Sequence, residues 1–135
     1  NRRNFGETVD MVAQNFPFWM AGNFQKFVGN WEAMTVDSHE LVALVAPRPV
    51  FITGGTTDLH TDPKGMFEAA ALASPVYELL GKKGLGTTEM PAADVALISG
   101  DVGYRMHTGG HTPQPDLPTF IAFCAKYFRA PPARH

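Results

Sequence analysis

Apolar residues recur along the chain in several distinct patterns. Between residues 7 and 20, Val9, Val12, Phe16 and Met20 stand three and four apart. That spacing predicts a helix interrupted by Pro17, with Thr8 as its cap. The aromatic-rich segment from Phe16 to Trp31, closed by Gly29 and Asn30, reads as a short helix or folded loop. Asp37-Ser38-His39-Glu40 then opens an apolar stretch, Leu41 to Ala46, stopped by Pro47. Asp37 or Ser38 as N-cap, with Glu40 near the third position, marks a helix start. The pattern then changes. Val50, Phe51 and Ile52 form a continuous run between two prolines and a pair of glycines, and Asp58 follows. This predicts a buried strand that delivers a carboxylate to the rim of a sheet.

Past the strand, Thr61-Asp62-Pro63 is a helix-start signal with proline at the first helical position. Met66, Phe67, Ala70, Ala71 and Ala73 read as a helix packed on a sheet. Pro75 is expected to break or restart it before Val76, Leu79 and Leu80 carry it to Gly81. Residues 81–94 read as a loop, and Val95–Ile98 and Val102–Met106 as short strands. Gly109-Gly110-His111 begins another loop. Phe120, Ile121, Cys124, Tyr127 and Phe128 then follow helical spacing within a helix predicted from Leu117 to Phe128. The order helix, strand, helix, strand, helix is half of an α/β sheet domain.

Composition narrows the class without naming a function. With 135 residues, 44% hydrophobic and 18% charged, the chain suits one modest globular domain. A net charge of -2 without a basic cluster gives no reason to expect nucleic acid as a partner. No apolar run approaches the roughly 18 residues of a membrane span. The one cysteine, Cys124, has apolar neighbours and is expected to be a small buried core residue. The chain begins Asn1-Arg2-Arg3, without an initiator methionine or signal-peptide pattern, so a leader or an upstream half is expected to be missing.

Among the polar residues, Asp58 and His111 carry the clearest chemistry. Hydrolysis by an activated serine needs a base within reach of the hydroxyl and an acid that orients that base. In α/β hydrolases the chain order is nucleophile, acid, histidine. Asp58 and His111 fit the second and third places, and the glycines before His111 permit a sharp turn. The competing reading makes Asp58 a helix cap and His111 a surface loop histidine. Serines occur only at 38, 74 and 99, none in a Gly-x-Ser-x-Gly frame, so the triad is expected to be incomplete within this chain. His107 and His111 have a helical metal-ligand spacing, but two glycines intervene, which argues against a metal site. Asp62 is better explained as a cap than as half of a carboxylate pair with Asp58. Gly81 to Gly86 lacks the Gly-Lys-Ser/Thr ending of a phosphate loop. His39 is expected to make a structural hydrogen bond at its helix start.

Several blocks say more than their spacing does. Arg3 to Val9, Phe16 to Trp19, Asp37 to Pro49, Asp62 to Gly65, Pro75 to Gly81 and Gly103 to His111 fall in one order. That series resembles the C-terminal half of the bacterial glucuronoyl esterases, serine hydrolases of the α/β-hydrolase fold. The resemblance spans nearly the whole chain and is most specific from Asp37 through Pro49 and at the closing Gly-Gly-His. It implies the C-terminal part of an α/β-hydrolase three-layer sandwich with a mostly parallel sheet, residues 1–135 forming part of one domain. It also implies cleavage of the ester between (4-O-methyl-)glucuronic acid of xylan and lignin alcohols, with no metal or other cofactor, in a secreted or periplasmic protein. By position, His111 matches the family histidine, Asp58 the acid used by many bacterial members, and Glu7 a residue that contacts sugar hydroxyls. His60 stands where the family usually has a tryptophan lining the sugar site. The serine motif, its oxyanion arginine and the alternative family glutamate are expected upstream of this chain. A non-catalytic carbohydrate-binding relative and an acetyl or feruloyl xylan esterase are the alternatives.

Overall fold

The computed structural model describes residues 6–128. Helix α1, Val9–Asn15, begins where Thr8 Oγ1 accepts the Met11 N–H at 3.1 Å, as the sequence predicts. It ends ahead of Pro17, which instead opens a 3₁₀ turn, Pro17–Trp19. The aromatic segment continues as two further 3₁₀ turns, Gly22–Phe27 and Trp31–Ala33. Phe16 and Trp19 stack there with ring centroids 4.4 Å apart. Helix α2, Ser38–Ala43, starts with a full capping box. Glu40 Oε2 accepts from the Asp37 N–H at 2.6 Å, and Asp37 Oδ1 accepts from the Ser38 N–H at 2.7 Å. These side chains satisfy backbone donors that a helix start leaves open.

Strand β1, Val50–Gly55, extends past the Val50–Ile52 run through Thr53 and both glycines. Helix α3, Pro63–Leu79, follows, with Asp62 in the left-handed region (φ 51°) and its Oδ1 accepting the Gly65 N–H at 3.1 Å. The helix runs through Pro75, where the sequence predicts a break. Proline removes one backbone bond, but buried side chains on both sides of it hold the helix. Ser74 Oγ accepts from the Leu85 N–H at 2.8 Å, and Tyr77 Oη donates to the Arg48 carbonyl at 2.9 Å.

Two more strands, β2 (Ala96–Leu97) and β3 (Val102–His107), complete a sheet ordered β1-β3-β2. β1 and β3 run parallel, in register from Val50 opposite Val102 to Gly55 opposite His107. β2 runs antiparallel to β3. The sheet is therefore mixed. Only residues 98–101 join β2 to β3, and a parallel crossover needs a dozen or more.

Side chains alternate across the sheet and define three layers. Val50, Ile52, Val102, Tyr104 and Met106 join Phe67, Ala70 and Tyr77 of α3 in the core. On the opposite face, Phe51 packs against Phe120 and Phe123 of helix α4, Leu117–Ala125. Gly103 makes room for this contact, because a Cβ there would press on the Phe51 and Phe123 rings at 2.8 and 2.9 Å. α4 therefore buries Phe123, while Phe120, Ile121 and Phe128 of the predicted apolar face are exposed. Cys124 is half-buried rather than a core residue. Leu44, Leu79 and Phe18 are also exposed, and β1 has no outer neighbour among the described residues.

Candidate active site

Asp58 and His111 meet where β1 and β3 end. Beyond the last paired residues, the Thr56 N–H donates to the His107 carbonyl and the Thr57 N–H to the Gly109 carbonyl, both at 2.9 Å. The chain then folds back, and the Asp58 N–H donates to the Gly55 carbonyl at 3.1 Å. Gly55 is required at this approach, since a Cβ would overlap the Gly109 and Gly110 carbonyls. The two segments close far enough for His111 Nδ1 to donate to Asp58 Oδ2 at 2.7 Å.

The pair is asymmetric. The Asp58 side chain is 4% exposed and the His111 side chain 84%. A carboxylate only accepts, so Nδ1 carries the hydrogen and Nε2 is left for another partner. Asp58 makes no side-chain cap on the following 3₁₀ turn, Leu59–Thr61. The cap on α3 belongs to Asp62. A cavity of about 170 Å³ adjoins the pair, bounded by Thr53, Gly54, Gly55, Thr61 and Thr112.

Glu7 and His60 come together through their backbones, the Glu7 N–H donating to the His60 carbonyl at 3.1 Å. Both side chains are exposed. Glu7 lines a separate cavity of about 1090 Å³ that also touches Trp31, Asp37, Asp62 and Leu72; neither Asp58 nor His111 borders it. The paired acid and imidazole lie on the smaller cavity alone. His39 also lines the larger cavity, and its ring makes no hydrogen bond among the described residues, contrary to expectation.

Periodicity and spacing do not reveal the layer beneath His111. His107 is fully buried. Its Nδ1 lies 2.6 Å from Asp116 Oδ2 and its Nε2 3.2 Å from the Gly110 carbonyl. Asp116, also buried, further accepts from Thr53 Oγ1 and Arg105 Nη1. His107 and His111 thus do not converge on a common point. Among the described residues no group of three or more histidine, cysteine, aspartate or glutamate side chains is placed to hold a metal. Above this layer, Asp94 accepts from the Thr108 hydroxyl at 2.7 Å and from Arg105 Nη2 at 3.0 Å. The Thr108 hydroxyl, then its N–H, hold the Asp94 carboxyl below its usual range, and Arg105 and His107 add to the effect. The only sequence sign of this network is β3 alternation, which puts Arg105 and His107 on the face away from α3.

None of the three serines bonds to His111. Ser38 opens α2, Ser74 is held inside α3, and Ser99 is exposed between β2 and β3.

Residues 2–81, more than half of the chain, match the family described as glucuronyl esterase, fungi. The chain belongs to the glucuronyl esterase family. Among its relatives is carbohydrate esterase MZ0003 from an unknown prokaryotic organism, 39% identical over 111 residues, or 82% of this chain and 26% of that protein. The 4-O-methyl-glucuronoyl methylesterase 1 of Wolfiporia cocos is 33% identical over 56% of this chain and 18% of its own length. The solved structure of a CE15 glucuronoyl esterase from Teredinibacter turnerae superposes with a TM-score of 0.83 at 43% identity, covering 91% of this chain and 30% of that one. This glucuronyl esterase chain therefore spans about a quarter of the length of the first of these relatives. Its fold is α/β, as in α/β hydrolases. No helix among the described residues is long and apolar enough to cross a membrane.

Proposed function

We propose that the chain is the C-terminal portion of an α/β-hydrolase domain that cleaves uronate esters, with Asp58 and His111 as two members of its triad. The observation that carries this is the 2.7 Å bond between a buried carboxylate after β1 and an exposed imidazole after β3. Family membership supports the same reading. The third member, a serine, comes from a part of the protein outside these 135 residues. Support for that placement comes from the exposed apolar side chains, the edge of β1 left unpaired among the described residues, and the absence of a bond between His111 and any of the three serines.

In this mechanism His111 Nε2 takes the serine proton as the serine oxygen attacks the uronate carbonyl. The ester bond to the alcohol breaks, and His111 returns the proton to the leaving oxygen. Water then attacks the acyl-enzyme by the same route, releasing the uronic acid and the free serine. Asp58 keeps the hydrogen on Nδ1 and stabilises the imidazolium that forms at each step. No cofactor enters the scheme. The substrate is the ester joining (4-O-methyl-)glucuronic acid of xylan to a lignin alcohol, which places the protein outside the cytoplasm, secreted or periplasmic. Glu7 and His60, joined beside the Asp58 turn, contact the sugar. His60 offers hydrogen bonding where a tryptophan would stack.

The test is turnover of a glucuronate ester by the full-length protein. His111→Ala is expected to lower kcat on the order of 10³-fold or more. Wild-type-like turnover in that variant refutes the catalytic role of His111, whereas absence of turnover in the wild-type full-length protein favours a carbohydrate-binding relative. Faster turnover of acetyl xylan than of a glucuronate ester moves the substrate to the acetyl class. The 135-residue chain alone is expected to show no esterase turnover.

A further inference from the structure

Resting on the reading just proposed, we infer that His107 is a positioning residue that sets the turn carrying His111. The Gly110 carbonyl is the point of control. It accepts from the Thr112 N–H at 2.9 Å, closing a three-residue turn with His111 at its centre. The same carbonyl lies 3.2 Å from His107 Nε2. On its other side it abuts Gly55, where a Cβ would overlap it. Gly109, at φ 145°, lies over the His107 ring, and a Cβ there would come within 3.3 Å of it. The Gly109–Gly110 segment is thus held between an imidazole and a bare strand end.

His107 is itself held. Its Nδ1 faces Asp116 Oδ2 at 2.6 Å, and Asp116 is fixed by Thr53 of β1 and Arg105 of β3. Each ring nitrogen has an acceptor beside it, a carboxylate at Nδ1 and a carbonyl at Nε2, so the ring bridges Asp116 and Gly110. A buried network in which every member is satisfied rigidifies what it touches. Here the rigid path runs from Asp116 through His107 and Gly110 to His111. Misplacing a reacting group by about an ångström costs on the order of 100-fold.

The experiment uses the full-length protein and two substitutions at one position. A glutamine amide nitrogen takes the place of Nε2, whereas an asparagine amide takes that of Nδ1. His107→Asn keeps the contact to Asp116 and loses the grip on Gly110; His107→Gln does the reverse. His107→Asn is expected to lower kcat roughly 10- to 100-fold with little change in KM. His107→Gln is expected to recover most of that loss, even where the two variants melt at similar temperatures. Equal kcat losses in both variants, or wild-type kcat in His107→Asn, overturn the inference. His111→Ala separates the two ideas, because abolished turnover there with unchanged kcat in His107→Asn removes only the role of His107. If His111→Ala leaves turnover intact, the catalytic reading fails, and the role of His107 is read by NMR. The proton shared by His111 and Asp58, assigned by its loss in His111→Ala, should shift or vanish in His107→Asn and persist in His107→Gln. An unshifted resonance in His107→Asn overturns the inference.

Discussion

His107 and His111 stand four residues apart and are bound to different carboxylates, Asp116 and Asp58, at 2.6 and 2.7 Å. The first side chain is 1% exposed and the second 84%. One histidine therefore belongs to the framework, and the other is open to an incoming group.

The carboxylate of the open pair should matter through orientation. Asp58→Asn in the full-length protein is expected to lower kcat on the order of 10²- to 10⁴-fold while leaving KM near its wild-type value. Asparagine can donate to Nδ1 and so stabilises the wrong tautomer. Steady-state kinetics on a glucuronate ester check this, and a loss confined to KM would contradict it.

The framework carboxylate should matter through stability. Asp116→Ala leaves Arg105 and His107 without the group that both face, a loss of about 3–5 kcal/mol for a broken buried pair. Thr53→Val removes only a neutral donor and is expected to cost about 1 kcal/mol. Denaturant unfolding of the two variants should reproduce that ranking.

Gly55 gives a steric test. In Gly55→Ala the new methyl must displace the Gly109–Gly110 backbone, and overpacking of this kind costs roughly 1–3 kcal/mol. Because the displaced segment carries His111, kcat should fall along with the melting temperature. A variant that melts lower but turns over normally would show that the loop adjusts without moving the imidazole.

Asp94 gives a pH test. Its carboxyl is held below the ordinary value of 3.8, first by the Thr108 hydroxyl. A carboxyl lowered in the folded state contributes stability that is fully present above its unfolded value and lost as pH falls through the folded one. Asp94→Asn tolerates the left-handed backbone at this position (φ 67°) and removes the charge. The variant should melt below wild type at neutral pH, and the gap should close as pH drops below about 3.8. Thermal scans across pH read this directly.

Much of the fold was legible in local chemistry. Thr8, Asp37 with Glu40, and Asp62 with Pro63 are short-range signals, and each starts the helix expected of it. Asp58 and His111 were legible as candidates because strand-end position and flanking glycines are also local features. Pro75 misled because its neighbours Ser74 and Tyr77 are anchored by Leu85 and Arg48, contacts between residues 11 and 29 apart. The face of α4 misled for a similar reason, since a glycine on β3 decides that Phe123 is buried. Asp116 escaped notice altogether. Its partners Thr53 and Arg105 come from two strands, and only the parallel register of β1 with β3 sets them opposite each other.

That register has a consequence for the lengths the segment can tolerate. Along β1, Val50, Ile52 and Gly54 face α3, while Phe51, Thr53 and Gly55 face α4 and the His111 loop. One residue inserted between Val50 and Thr53 would reverse every later side chain. Thr53 would turn into the apolar core and away from Asp116, and the bare Cα of Gly55, which lets Gly110 approach, would move to the wrong side. An insertion of two would keep the faces but carry Asp58 about 7 Å past its histidine. The stretch from Val50 to Asp58 should therefore accept substitutions far more readily than any change in its length.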